Sequence, residues 1–119
     1  MNKQTITIFI LLLTGMLTGQ NVQKSDKLFE DQTPMEIKLG YSNKDLNRNT
    51  DDSTFIITAM AYLHEGKWNE IEVNLRARGN FRRNQCYFPP VKMKIKKNEY
   101  SGTIFDGNKS MKLVLPCMV

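Results

Sequence analysis

The chain has 119 residues, with 17 lysines and arginines against 12 acidic residues and a formal net charge of +5. That length accommodates one modest domain and leaves no room for several. The two cysteines have no C-x-x-C neighbour and the one histidine, His64, is distant from both. These features argue against a metal centre or a Cys/His nucleophile, and they nominate no catalytic residue and no cofactor.

Residues 1–20 read as a secretory signal peptide. Lys3 supplies a positive start, Ile6 to Leu13 form a nearly continuous apolar run, and Thr14 to Gly19 are weakly polar. The apolar run falls short of the roughly 20 residues that a membrane span requires, and no basic cluster adjoins it, so cleavage is expected rather than anchoring. The expected destination is outside the cytoplasm: the periplasm, the cell surface or the medium. Residues 21–34 follow as a polar leader that becomes ordered only near Leu28 and Phe29. Residues 35–119 are then the β-rich domain.

Within that domain, Met35, Ile37 and Leu39 alternate with Glu36 and Lys38, the period of a half-buried strand. Gly40 to Ser53 reads as a loop with at most one helical turn at Lys44 to Arg48. Thr54 to Leu63 is the longest apolar run of the mature part, and its β-branched and aromatic content predicts a central strand. His64, Glu65 and Gly66 predict a hairpin turn. Beyond it, Ile71, Val73, Leu75 and Ala77 face one way and Glu70, Glu72, Asn74, Arg76 and Arg78 the other. Gly79 and Asn80 interrupt this strand, and Pro89 and Pro90 fix an extended lead into the next, in which Val91, Met93 and Ile95 alternate with Lys92, Lys94 and Lys96. Gly102 and Gly107 flank Ile104 and Phe105 as turn residues, and Met111, Leu113 and Leu115 give a last strand.

No segment holds a helical period over about ten residues. The expected fold is mainly β: a small antiparallel sheet, rolled or sandwich-like so that its apolar face is covered. It reads either as a complete small domain or as the amino-terminal part of a larger one. Trp68, Tyr87, Phe88 and Tyr100 are expected in core or hairpin packing.

The charge is unevenly placed. Gln20 to Val73 carries six Lys/Arg against ten Asp/Glu, a balance of −4, whereas Asn74 to Val119 carries ten against two, a balance of +8. The basic character therefore belongs to the second half. If the strand ending at Arg78 folds back onto Val91 to Lys97, Glu72 lies near Lys96, and Arg76 and Arg78 lie near Lys92 and Lys94, which is unfavourable without an anion or a carboxylate partner. Turn amides at Gly79 and Asn80, with Arg78, Arg82 and Arg83 beside them, suit a phosphate or carboxylate. The candidate anion-binding residues are thus Arg76, Arg78, Gly79, Asn80, Arg82, Arg83, Lys92 and Lys94. The competing reading is a solvated polar face whose lysines protect an edge strand. No G-x-x-x-x-G-K-[ST] or G-x-G-x-x-G pattern is present.

The series RARGNFRRNQCYFPPVKMKIKK, then GTIFDGNKSMKLV and the near-terminal Cys117, resembles uncharacterised exported proteins of Bacteroidetes type. More distantly it resembles the amino-terminal part of the spore-coat CotH family of kinase-like proteins. The resemblance covers Asn74 to Cys117. It implies that Arg78 and Gly79 help shape a nucleotide site, with Lys92 or Lys94 as a phosphate contact, and that acidic metal-binding and catalytic residues lie further along. The chain stops before any such portion and lacks a histidine beside its last cysteine, so kinase activity is not expected of it. The alternative to an exported interaction protein is therefore a truncated kinase portion, inactive alone.

Cys86 and Cys117 both follow the signal segment. In an oxidising compartment their pairing would close a loop of about 30 residues and contribute about 3–4 kcal/mol by restricting the unfolded chain. Two buried thiols, or pairing outside the chain, are the alternatives. Asp51-Asp52 reads as a polar turn, and Asn108-Lys109-Ser110 fits a glycosylation acceptor only in a host with that machinery. Expected partners are an anionic ligand or an anionic envelope surface, with a nucleotide only under the kinase alternative. Nucleic-acid binding is disfavoured by export and by the absence of RNP-like or helix-turn-helix patterns.

Overall fold

A computed structural model describes residues 26–118. The expected signal peptide, the first part of the polar leader and Val119 lie outside the described residues. The described part opens with a single helical turn, α1 (Lys27–Glu30), whose first turn is capped by the Asp26 carboxylate accepting from the Leu28 amide at 3.2 Å. Both Asp26 carboxylate oxygens also accept from Asn108 Nδ2, at 2.8 and 2.9 Å, which ties this turn to the far end of the chain.

Five strands follow: β1 (Ile37–Leu39), β2 (Ile56–His64), β3 (Lys67–Ala77), β4 (Val91–Ile95) and β5 (Ser110–Leu113). They form one antiparallel sheet in sequential order. The sheet is open. Among the described residues β1 and β5 are its edges and do not pair with each other, so it does not close into a barrel, and helices and loops pack against its apolar face. Two of the strands are shorter than their alternation suggested. Met35 lies outside β1 and is 40% exposed, and β5 ends before Leu115.

The alternation in sequence sets the two faces. Ile71, Val73, Leu75 and Ala77 of β3, Val91, Met93 and Ile95 of β4, and Met60 and Tyr62 of β2 are all buried on one face. β2 and β3 are joined by Glu65 and Gly66, with φ of 51° and 72°. Positive φ at both central residues matches the right-handed strand twist and makes the tight hairpin possible.

Two connections cover the core. The segment expected as a loop contains a two-turn helix, α2 (Asn43–Asn49), capped by Ser42, whose hydroxyl accepts from the Asp45 amide at 3.2 Å. The polar faces of α2 hide its one apolar anchor: Leu46 is fully buried against the sheet. Between β4 and β5, α4 (Lys97–Tyr100) leads into a turn that drives Phe105 into the core, edge-on to Tyr62 at 4.9 Å between ring centres. Between β3 and β4 lies α3 (Asn80–Gln85), which starts at Gly79 with φ of 83°.

Thr50 ties these parts together. Its buried hydroxyl donates to the Leu46 carbonyl at 2.5 Å and accepts from the Ala77 amide at 3.0 Å, so the end of α2 is fastened to the end of β3. Cys86, just after α3, is joined to Cys117 by a disulfide, with Cα atoms 4.9 Å apart. The Tyr87 amide donates to the Met118 carbonyl at 2.7 Å alongside it. Trp68 and Tyr87, expected in packed positions, are 39% and 65% exposed, Trp68 because its place in β3 falls on the solvent side.

Candidate functional site

The second face of the sheet faces solvent, and the strand register decides what it presents. Arg76 pairs with Lys92 across β3 and β4, and Lys92 pairs with Lys112 across β4 and β5. One row of the sheet therefore carries three cations side by side. In the next row, Asn74, Lys94 and Ser110 stand in line. Ladder bonding sharpens the contact: the Ile95 amide donates to the Lys109 carbonyl at 3.0 Å, so alternation along the strands makes Lys92 and Lys112 a non-hydrogen-bonded pair. Side chains come closest in that kind of pair, and like charges there repel.

Part of this charge is compensated within the fold. The Asp52 carboxylate accepts from the Arg76 guanidinium at 2.7 Å, supplying the carboxylate that the crowding required. The Arg76 side chain is only 15% exposed; its guanidinium also donates to the Ala77 carbonyl at 3.5 Å and lies over the Phe55 ring, 5.8 Å from the ring centre, while its Nε has no partner among the described residues. Lys94 lies over the Phe55 ring, with its ammonium 4.6 Å from the ring centre, a cation–π contact that leaves its outer side in water. The Asn74 Oδ1 between these side chains is likewise unpartnered.

The residues around Gly79 divide. The Arg78 amide donates to the Pro90 carbonyl at 2.9 Å, and the Arg78 side chain is exposed without a partner among the described residues. Arg82 is also exposed and without a partner among them. Arg83, in contrast, turns inward, donating to the Asn47 carbonyl at 2.9 Å and to the Thr50 carbonyl. Its guanidinium closes the carboxyl end of α2, where unbonded carbonyls and the helix dipole favour a cation. Asn80 opens α3 and, with Asp51, Asp52, Arg76, Arg78 and Arg83, lines a shallow groove of about 380 Å³.

The groove is of mixed sign. The Asp51 carboxylate accepts from the Ser53 amide and the Thr54 amide, both at 2.7 Å, and from the Ser53 hydroxyl at 2.9 Å. Those donors, the Ser53 amide foremost, pull its pKa down to about 2. The groove therefore sets the Asp51 and Asp52 carboxylates beside its arginines, whereas the row Arg76, Lys92 and Lys112 carries one sign. On the opposite flank, Lys96 donates to Glu72 at 2.9 Å, as the strand register predicts, and that hydrogen bond raises the Lys96 pKa.

Sequence reasoning missed three participants. Lys112 follows the same alternation as Lys92 and Lys94, and that phase was the available signal for it. Asp52 was hidden in a polar turn. Phe55 reads simply as part of an apolar strand. No cluster of metal-ligating side chains occurs among the described residues. No family model matches the chain, and neither a curated protein nor a solved structure shows significant similarity to it.

Proposed function

We propose that this chain is an exported, non-catalytic β-rich interaction domain whose open basic face takes an anionic ligand or an anionic envelope surface. The observation that carries this reading is the row Arg76, Lys92 and Lys112, in which one cation is neutralised and two adjacent lysines are not. A fold that keeps like charges in the closest cross-strand pairing gains from any anion that bridges them. Arg78 and Lys94, with free outer sides, widen the patch toward the same solvent. Export is supported by Met1 to Gln20 and agrees with a fold that uses a disulfide.

The test is binding of the full oxidised chain to polyphosphate and to phosphatidylglycerol vesicles, with neutral phosphatidylcholine vesicles as control. A K92A/K112A variant with unchanged circular dichroism should lose at least about tenfold in affinity, and the wild type should weaken steadily with added salt. Equal binding by wild type and variant removes the basis of the reading. ATP binding that depends on Arg78 but not on Lys112 would favour the nucleotide-site alternative. Recovery of a chain beginning near Gln20 or Asn21 from the extracytoplasmic fraction tests the export component.

A further inference from the structure

The open sheet has two uncovered edges among the described residues, and the β5 edge is chemically specific. Bonding of Lys109, Met111 and Leu113 toward β4 leaves the backbone groups of Ser110 and Lys112 directed outward, where no described residue satisfies them. Ser110 and Lys112 are exposed, and Met111 and Leu113 are half-buried on the core face. The edge thus offers backbone donors and acceptors, a positive charge on the solvent face and an unfinished apolar margin on the other.

We propose that the outer edge of β5 takes an extended acidic segment of another protein as a sixth strand. A carboxylate opposite Lys112 continues the row Arg76, Lys92 and Lys112 with the sign that relieves it, and a second carboxylate opposite Ser110 comes within reach of Lys94. Apolar residues at the intervening positions cover Met111 and Leu113. The partner therefore alternates acidic and apolar side chains, with main-chain bonds supplying affinity and the alternate side chains supplying selectivity.

A second copy of this chain is a poor occupant. Antiparallel pairing of two β5 edges through Ser110 and Lys112 brings Lys92 and Lys112 of both copies onto one face. Pairing β5 with the β1 edge brings in Lys38, which lies on the same solvent face at the centre of β1. The first arrangement adds cation to cation and the second sets Lys38 beside Lys112 with one carboxylate, Glu36, on the same face, so a strand with carboxylates at both positions and no lysine fits the β5 edge better than either.

The proposal rests in part on the anion preference of the basic face, and the experiment separates the two. Full oxidised chain is titrated with a labelled short peptide alternating glutamate and valine, with a peptide of the same composition whose residues are not alternated, and with the alternating peptide N-methylated at every second amide. The alternating peptide should bind about tenfold more tightly than the other two, slow amide exchange at Ser110 and Lys112, and lose about tenfold with Lys112→Glu. A second variant, Ser110→Pro, removes one outward donor while keeping every charge and every β4–β5 ladder bond, and should weaken binding of the alternating peptide only. Equal affinity for all three peptides, with polyphosphate still bound, overturns the sixth strand and leaves the basic face standing. Absence of binding to peptide and polyphosphate alike overturns both.

Discussion

Asp52 reaches Arg76 at 2.7 Å from the loop that precedes β2, and it is the carboxylate that compensates the crowded cations of the β3–β4 ladder. Asp52 itself is almost wholly exposed, at 99%. The pair is therefore a local regulator of charge more than a structural bolt, because solvent screens an exposed carboxylate and such pairs contribute about 0–1 kcal/mol.

It follows that Asp52→Asn frees Arg76 for an external anion. Polyphosphate affinity is expected to rise about twofold to fivefold, while the unfolding free energy changes by less than about 1 kcal/mol. Denaturant unfolding and binding isotherms of the same preparation check both halves.

Lys92 stands between Arg76 and Lys112, so its removal should act in opposite directions on stability and binding. Lys92→Gln is expected to raise stability by about 0.2–1 kcal/mol through loss of like-charge repulsion, and to weaken anion binding. A variant that loses stability would show that Lys92 contributes more by covering the sheet with its stem than it costs by its charge.

Arg82 and Arg83 are adjacent in sequence but differ in role. Arg83→Ala leaves the Asn47 and Thr50 carbonyls without their donor and should cost about 1–3 kcal/mol, whereas Arg82→Ala should stay within about 0.5 kcal/mol. Thermal midpoints of the two variants, measured side by side, distinguish them.

The Cys86–Cys117 bond spans 31 residues. Cys86→Ser/Cys117→Ser should lose about 3–4 kcal/mol, chiefly because the unfolded chain regains the freedom of that loop. Intact mass before and after reduction reports whether the bond is present, and denaturant midpoints report what it contributes.

Asp51 gives a pH signature. Its pKa is depressed from 3.8 to about 2, so the stabilisation from its turn is fully present above pH 3.8 and is lost as pH falls through about 2. The stability gap between wild type and Asp51→Ala should therefore narrow between those two values. Carboxyl NMR should place the Asp51 midpoint near 2, and a midpoint near 3.8 would contradict the turn.

The strands and their faces were legible because their period is local. From Ile71 to Ala77 in β3 and throughout β4 every second residue is apolar, and that alternation fixed which side chains are buried and, with the two strands folded back on each other, led to the Glu72–Lys96 pairing. The helical cover was not legible. α2 spans Asn43 to Asn49, too short for a helical period, and it carries a single apolar anchor, Leu46, which looks like an incidental residue in a polar loop. The roles of Asp52 and Arg83 were equally hidden, since each acts on a partner at least 24 residues away.

The basic row with which the site begins shows the same division. Alternation of lysine with Val91, Met93 and Ile95 determined by itself that Lys92 and Lys94 share a face, because side-chain direction in a strand repeats every second residue. Only the tertiary structure decided that Lys112 joins them, that Asp52 neutralises Arg76 and that Arg83 turns inward. Those outcomes depend on strand order, register and loop placement, which belong to the packing of the whole apolar face, with Leu46 and Phe105 buried against it from the loops, and are not written in the local pattern of the charged residues.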